Sequence, residues 1–258
     1  MVRREKTNYV IQSVAHALDV LEQFRGVGEI GVTELSKRLK LHKNNVFRLL
    51  ATLEARGYIE QNKATENYHL GLGCLQLGQN YLNQTGLLSQ AQNTLRGLAK
   101  ETKESAFIAL RRGMEVIPLE FVESEEAVRV ASFLGTSLPL HCTAPGKIHL
   151  AFESDESLRE HLPETLACYT SRTIVDRPLL LRQIKEISEG GYAVDLGEFI
   201  EDLSCVSVPL RDSSRRLVGS LSVAGPAHRL TQEKIHREIV ALVIKGGNEI
   251  SRRLGYQE

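Results

Sequence analysis

The stretch VTELSKRLKLHKNNVFRLLATLEARGYIEQNKATENYHLG, from Val32 to Gly71, contains two apolar patterns of helical spacing followed by two short strand patterns. The first helical pattern pairs Leu35 with Leu39, and the second places Val46, Leu49, Leu50 and Leu53 at i, i+3, i+4 and i+7. The polar loop NKATE then separates YIEQ from NYHLG, which are typical of the two strands of a hairpin. The stretch therefore predicts two short helices and a β-hairpin.

A further helix is predicted upstream, over Val10–Phe24, because its apolar residues recur at about 3.6 residues. We expect Thr33 to be the N-cap of the next helix, which runs to about Leu39, and Asn44 to cap the one after it. Gly57 is well suited to follow the end of that last helix. The order helix, helix, turn, helix, hairpin is that of a winged helix-turn-helix.

Positive charge is concentrated in this segment although the whole chain has a formal net charge of zero. Between Lys37 and Arg56 there are six Lys and Arg residues and one acidic residue, Glu54. A solvated basic helix would explain the charge alone, but the charge together with the helix order favours DNA binding, since a recognition helix enters the major groove and basic neighbours hold phosphates. The residues predicted to contact DNA are Thr33, Arg38, Lys43, Asn44, Asn45, Phe47, Arg48, Thr52, Arg56 and Lys63.

Length and composition indicate an ordinary globular chain. Its 258 residues suit two domains, and 42% hydrophobic and 25% charged residues are usual values. No apolar run reaches the ~18 residues of a membrane span, and the first residues lack a signal-peptide core, so we expect a cytoplasmic protein without a membrane partner. The four cysteines form no CxxC pair and are expected to be reduced thiols.

Beyond Gly71 the pattern changes to mixed helices and strands. Residues 70–88 predict a linker helix, and Ser89–Thr102 a second helix. Two hairpins are predicted, SAFIALRRG with MEVIPLEFVE and LSCVSVPLRD with LVGSLSVAGP, along with a strand in AVRVASFLGTSLPLH. Helices are predicted from Thr143, in ESLREHLP, in RPLLLRQIKEISEGG and after the N-cap Thr231. Without a regular βαβ repeat, the fold class is α+β.

Six segments together resemble the IclR family of bacterial transcription regulators over nearly the whole chain. They are SVAHALDVLEQF, TELSKRLKLHKNNVFRLLATLEARGYIE, YHLG, LPLHCTAPGKIHLA, GGYAVDLGEFIEDLSCVSVPL and LVGSLSVAGPAHRLT. The resemblance implies a winged helix-turn-helix domain at residues 1–71, a linker helix at 72–88 and a GAF-like effector-binding domain at 89–258. It also implies a homodimer formed through the DNA-binding half, often paired into a dimer of dimers.

Two residues depart from the family pattern. Asn44–Asn45 stand where the family usually has a Ser-Thr pair, which leaves DNA binding in place but changes the expected operator. Pro145 replaces a less rigid residue before the Gly-Lys pair, and we expect it to reshape the wall of the effector pocket.

The resemblance places the effector pocket at three positions, and each has a plainer interpretation. The loop with Ala144, Pro145 and Gly146 opens a helix whose N–H groups attract a carboxylate, yet Thr143 could simply cap it. Asp195, with Glu198 close by, is equally a turn residue. The third position is the strand pair that carries Cys205, Ser220 and Ser222. The two serines share one strand face, but a cysteine is more often a small buried apolar residue.

Metal and catalytic sites are not expected. His141 and Cys142 are adjacent and point to opposite faces of a strand, and no fourth ligand is spaced to complete a tetrahedral site with His149. No base can be assigned to a nucleophilic Cys142 or Cys205, and no cofactor is indicated.

The sequence therefore predicts a ligand-responsive repressor or activator of a catabolic or metabolic operon. Its partners are double-stranded operator DNA and a small organic acid or aromatic compound. The alternative is a small-molecule-binding module or hydrolase-like enzyme with an accessory DNA-binding segment.

Overall fold

A computed structural model describes residues 10–154, 156–158 and 162–257. They form two compact units that divide between Thr85 and Gly86. The helix Leu72–Thr85 groups with the N-terminal unit. The functional boundaries expected after residues 71 and 88 stay predictions.

The N-terminal unit has the predicted element order. It comprises α1 (Gln12–Glu22), α2 (Val32–Leu39), α3 (Lys43–Ala55), β1 (Ile59–Gln61), β2 (Tyr68–Leu70) and α4 (Leu72–Thr85). The strands β1 and β2 pair antiparallel, and an isolated bridge joins Ile30 to Tyr68. The winged helix-turn-helix expected from the sequence is therefore confirmed.

A single apolar core holds the three helices against the hairpin. Val46, Leu50 and Leu53 point from α3 into this core. They meet buried residues of the other elements, among them Val20, Phe24, Ile30, Leu35, Ile59 and Tyr68. Because the buried residues of α3 lie on one side, its opposite side is presented to solvent.

Both predicted N-caps in this unit are wrong. The helix α2 begins at Val32, so Gly31 is its N-cap, and no side chain caps it. The helix α3 begins at Lys43, and the His42 ring nitrogen Nδ1 accepts a hydrogen bond from the Asn44 N–H at 3.4 Å. A cap residue must have extended backbone before the first helical turn, and Thr33 and Asn44 are already inside their helices.

The C-terminal unit is built on one six-stranded antiparallel sheet. Its elements are α5 (Leu87–Thr102), β3 (Ser105–Arg112), β4 (Glu115–Val122), β5 (Leu138–Pro139), α6 (Ala144–Ala151), α7 (Arg177–Gly190), β6 (Ala193–Leu196), β7 (Leu203–Arg211), β8 (Leu217–Pro226), α8 (Gln232–Lys234) and α9 (Val240–Arg253), the last two joined by the π-helical turn Ile235–Ile239. The strand order is β5-β4-β3-β8-β7-β6. Both predicted hairpins are present, β3 with β4 and β7 with β8, and they join through β3 and β8. The α+β class is confirmed.

Helices cover both faces of this sheet. On one face Ile108 and Val223 pack with apolar residues of α5 and α9. On the other face Phe107 and Ala224 pack with apolar residues of α6 and α7. Successive strand residues enter opposite cores, so the strands read as nearly continuous apolar runs rather than as alternating patterns.

Three predicted elements differ in the structure. Gly86, at φ 60°, separates α4 from α5, and α5 begins at Leu87 rather than Ser89. The strand predicted in AVRVASFLGTSLPLH is reduced to Leu138–Pro139, because the neighbouring Pro118 of β4 has no N–H to donate to a longer partner. The helix predicted in ESLREHLP falls partly on residues 159–161, which lie outside the described residues.

In the described part of the chain, no helix is both long enough and apolar enough to cross a lipid bilayer.

Candidate DNA-binding surface and effector site

The solvent side of α3 carries most of the residues predicted to contact DNA. Lys43, Asn44, Asn45 and Arg48 are exposed in its first half, and 56% of Phe47 is accessible to solvent. The side chains of these four polar residues make no hydrogen bond or ion pair with the rest of the described chain. Thr52 and Arg56 continue the exposed side toward the C-terminus of the helix. The first half of α3 therefore presents unengaged polar and basic groups.

A tight turn fixes α3 relative to α2. Lys40 adopts φ 54° at the end of α2, a left-handed conformation that turns the chain sharply. The Ser36 hydroxyl donates to the Leu41 carbonyl at 2.6 Å across this turn. Leu35 and Leu50 are fully buried on either side of the turn, so the two helices share one core.

Arg38 and Thr33 lie on α2, which precedes α3 in the sequence. The Arg38 guanidinium is paired within the helix with Glu34, at 2.5 Å. Because both side chains are exposed to solvent, this pair contributes little to stability. Thr33 is exposed in the first turn of α2.

The loop between β1 and β2 is held at its base by Glu29. This carboxylate accepts hydrogen bonds from Asn62 Nδ2 at 2.6 Å and Thr65 Oγ1 at 2.8 Å, which lower the pKa of Glu29. The side chains of Asn62 and Thr65 are thus engaged within the unit. Lys63 remains as the exposed cation of the loop.

In the C-terminal unit, the entry to α6 is tightly packed. Thr143 caps the helix as predicted, with its hydroxyl accepting from the Gly146 N–H at 3.2 Å. A Cβ on Gly146 would lie 2.4 Å from the Leu140 backbone, so only glycine fits there. Every residue of α6 is buried.

Most donors of this helix N-terminus are already used or missing. The Lys147 N–H donates to the Thr143 carbonyl at 2.9 Å, and Pro145 has no N–H. In the described chain, Ala144 is the residue of this turn whose N–H has no acceptor. The expected anion site at Ala144, Pro145 and Gly146 thus offers fewer donors than an ordinary helix start.

The strand residues predicted for the pocket lie together on the sheet face that packs against α6. Asp195 is directly opposite Cys205 across β6 and β7, so the two side chains share one sheet face. Ser222 is hydrogen-bonded to Ser207 at 2.9 Å, and the Ser220 hydroxyl donates to the Ala109 carbonyl at 3.4 Å. The side chains of Ser220 and Ser222 are fully buried. In this conformation their hydroxyl groups are hydrogen-bonded within the protein itself.

A buried ion pair lies next to Asp195, and the sequence interpretation did not include its cation. Lys147 is 0% exposed, and its ammonium is hydrogen-bonded to Glu198 Oε1. The Glu198 N–H in turn donates to Asp195 Oδ1 at 2.7 Å. A lysine in the apolar run of α6 was the sequence signal for this pair, because a buried cation requires a partner.

Burial shifts the acid–base properties of this cluster. It raises the pKa of Asp195 to about 7, with the Glu198 carboxylate acting in the same direction and Lys147 against it. Burial also raises the pKa of Cys142 to about 12 and places that of Cys205 well above its usual value. Both thiols are therefore uncharged near neutral pH.

The turn that carries Glu198 is fastened to the segment Tyr169–Thr173. The Thr173 hydroxyl donates to the Glu198 carbonyl at 2.6 Å, and the Thr170 hydroxyl to the Gly197 carbonyl at 2.7 Å. The Tyr169 and Phe199 rings meet edge to face, with centroids 5.0 Å apart. The backbone around Glu198 is thus held firmly.

The histidines near this region have separate environments. The His141 Nε2 is hydrogen-bonded to the Ala167 carbonyl at 2.8 Å. Burial lowers the pKa of His149 to about 4, and its Nε2 has no partner in the described chain. No group of three or more His, Cys, Asp or Glu side chains among the described residues is placed to hold a metal ion.

Two family profiles match the chain. The IclR helix-turn-helix domain matches residues 13–63, and the bacterial transcriptional regulator IclR C-terminal domain matches residues 79–252. The chain is 30% identical to the HTH-type transcriptional regulator KdgR of Escherichia coli K12 over 249 residues, covering 96% of this chain and 94% of that protein.

Solved structures of similar chains share the fold. An IclR transcriptional regulator from Silicibacter sp. TM1040 superposes with a TM-score of 0.84 at 28% identity, covering 95% of this chain and 97% of that one. An IclR homologue from Microbacterium hydrocarbonoxydans, solved with 4-hydroxybenzoate, has a TM-score of 0.83 at 20% identity, with 94% and 98% covered. With both halves matched by their own profiles and the whole chain matched by a relative, this protein belongs to the IclR family of bacterial transcriptional regulators.

Proposed function

We propose that this regulator binds a near-palindromic operator through α3 and responds to a small acidic or aromatic effector held beneath α6. The observation that carries the proposal is the unengaged first half of α3, where Lys43, Asn44, Asn45 and Arg48 face solvent on a helix anchored by its apolar side. Such a helix fits the major groove, and its N-terminal residues reach base edges.

Each exposed group has a distinct expected role on DNA. Asn45 and Arg48 are the types of side chain that pair with adenine and guanine edges. Arg38, Lys43, Arg56 and Lys63 hold phosphates, which makes binding dependent on salt. Thr33, Asn44, Phe47 and Thr52 contact the backbone or the base methyl groups nearby.

The regulator acts as a homodimer, and as a dimer of dimers at full assembly. Exposed apolar side chains on the N-terminal unit support self-association, since Val14 and Leu18 on α1 are 54% and 57% exposed at i and i+4. Two copies place two recognition helices in successive major grooves about one helical turn apart.

The effector binds among Ala144, Pro145, Gly146, Asp195, Cys205, Ser220 and Ser222, which α6 and the sheet bring together. The homologue solved with 4-hydroxybenzoate supports an aromatic or small organic acid as the chemical class. The effector changes operator affinity by binding one arrangement of the protein better than the other, with α4 as the connection.

The protein works in the cytoplasm as a regulator and not as an enzyme. A thiol with a pKa of about 12 disfavours the thiolate that a nucleophilic Cys142 would need. His149, with a pKa of about 4 and a buried ring, is poorly suited to be its general base.

The test is footprinting of purified protein on the DNA upstream of its own gene and its neighbours, at two salt concentrations. We expect a two-fold symmetric protected site that weakens as salt rises. Arg48→Ala should weaken binding by about 1–3 kcal/mol and relax selectivity at one base position. Arg96→Ala, which removes an exposed arginine of the C-terminal unit, is the matched control and should change little.

No protection at the lower salt concentration, with or without added small acids and aromatics, would contradict operator binding. Turnover of an added ester or amide would favour a hydrolase-like enzyme instead. Operator affinity and base selectivity in Arg48→Ala that equal those of the native protein would contradict the role given to Arg48 on α3.

A further inference from the structure

Lys147 is a buried cation with an unusual position. It lies in the middle of α6, with 0% of its side chain exposed, and its ammonium pairs with Glu198 across the top of the sheet. Removing an ammonium from water is costly unless a carboxylate compensates for it. Position 147 therefore always requires an anionic partner in the folded state.

Glu198 satisfies that requirement incompletely. Its Oε1 is bonded to Lys147, but its Oε2 is buried and has no hydrogen-bond partner among the described residues. An unsatisfied buried carboxylate oxygen is itself unfavourable. Glu198 thus compensates the charge of Lys147 but leaves one of its own oxygens without a hydrogen bond. A carboxylate with both oxygens hydrogen-bonded would be the better partner for Lys147.

The backbone of Glu198 is held by hydrogen bonds that do not involve its carboxylate. The N–H of Glu198 is held by Asp195 and its carbonyl by Thr173, so the turn stays in place. The residue is 7% exposed, and the next residues of the turn reach solvent, with Ile200 51% exposed. Displacement of the Glu198 carboxylate therefore requires rotation about its side-chain bonds rather than movement of the sheet.

The entry to α6 provides a second argument. Thr143 occupies the Gly146 N–H, and Pro145 removes a further donor, so this helix start is a weak anchor for an incoming anion. The nearest full positive charge on the same helix is Lys147. In this chain, charge attraction at Lys147 replaces part of the attraction that free N–H groups would supply.

We propose that Lys147 is the anchor for the effector's carboxylate and that Glu198 is an internal carboxylate which the effector displaces. This inference rests on the proposed effector site and specifies its ligand class. The exchange leaves one negative charge beside Lys147, so no unpaired charge stays buried. It selects carboxylic acids over the corresponding amides, alcohols and amines.

The test removes the internal carboxylate and offers an external one. Thermal unfolding of full-length Glu198→Ala is measured with sodium acetate, with sodium chloride at equal ionic strength and with acetamide. We expect acetate alone to raise the Tm of this variant, by about 4 °C at ten times its dissociation constant. The double variant Lys147→Met/Glu198→Ala, which lacks the ammonium, should show no acetate-specific rise.

Glu198→Gln is measured in the same way, because the amide keeps the side-chain volume if the alanine variant fails to fold. The role of Lys147 as the anchor would be overturned by an equal acetate-specific rise in Tm with and without Lys147. It would also be overturned if neither Glu198→Ala nor Glu198→Gln showed such a rise. Operator footprinting on the same proteins is independent of this readout. If no operator is protected but acetate still raises the Tm of Glu198→Ala, the result would reject the DNA-binding function and keep the carboxylate site.

Discussion

At the scale of single residues, the surroundings of Asp195 strongly change its pKa. It is 2% exposed, and burial raises its pKa from 3.8 to about 7. Between these values the folded protein binds a proton that the unfolded chain does not. Stability from this group is therefore lost as pH rises from about 4 to about 7, and it changes no further above that range.

Asp195→Asn should remove this dependence, because the amide is isosteric and neutral at every pH. The unfolding free energy of the native protein should fall relative to that of the variant by about 1.4 kcal/mol for each pH unit inside the window. Urea unfolding of both proteins from pH 4 to pH 8 measures the difference. The contribution of His149 is common to both proteins and cancels, and parallel curves would show that Asp195 is ionised throughout.

At the scale of elements, two glycines on neighbouring helices play opposite roles. A Cβ on Gly247 of α9 would lie 2.6 Å from Val208 Cγ2, whereas one on Gly97 of α5 would meet nothing within 4 Å. The first glycine permits close packing of α9 on the sheet. The second is an exposed helix position without a packing requirement.

Alanine should therefore have opposite effects at these positions. Gly247→Ala is expected to destabilise the protein by about 1–3 kcal/mol through overpacking. Gly97→Ala should stabilise it by up to about 1 kcal/mol, since alanine is the better helix former. Chemical denaturation measures the free energy of unfolding of both variants. If Gly247→Ala raised it, α9 would have to move to accommodate the methyl group without losing stability.

At the scale of the whole molecule, α4 connects the winged helix to the C-terminal unit along the chain. Gly78 lies in this helix, and a side chain there would meet nothing within 4 Å. A substitution at Gly78 can therefore break or strengthen the helix without a steric clash. Proline costs about 3 kcal/mol or more inside a helix, while alanine strengthens it.

Gly78→Pro should abolish the effect of an acidic effector on operator affinity, and Gly78→Ala should preserve it. Both variants should keep the stabilisation that the effector gives to the protein. Operator titrations with and without the effector found by footprinting measure the coupling. A full response in Gly78→Pro would exclude α4 as the connection.

The sequence alone determined the element order of the winged helix and the hairpins of the sheet. Those features depend on local spacing, such as Val46, Leu50 and Leu53 on one side of a helix, and on glycines at turns such as Gly113. The helix caps were missed because a shift of two residues separates Thr33 from Gly31 and Asn44 from His42. The candidate effector residues came mainly from the family resemblance, and the residue pattern alone left each of them open.

Only the tertiary structure decided which buried charges meet. Lys147 and Glu198 are 51 residues apart in the chain, and their pairing depends on how α6 packs against β6. Likewise, Asp195 faces Cys205 because β6 pairs with β7 in one particular register. Local propensity specifies elements, but the partners of a buried ionisable group are set by long-range packing, which also sets its pKa.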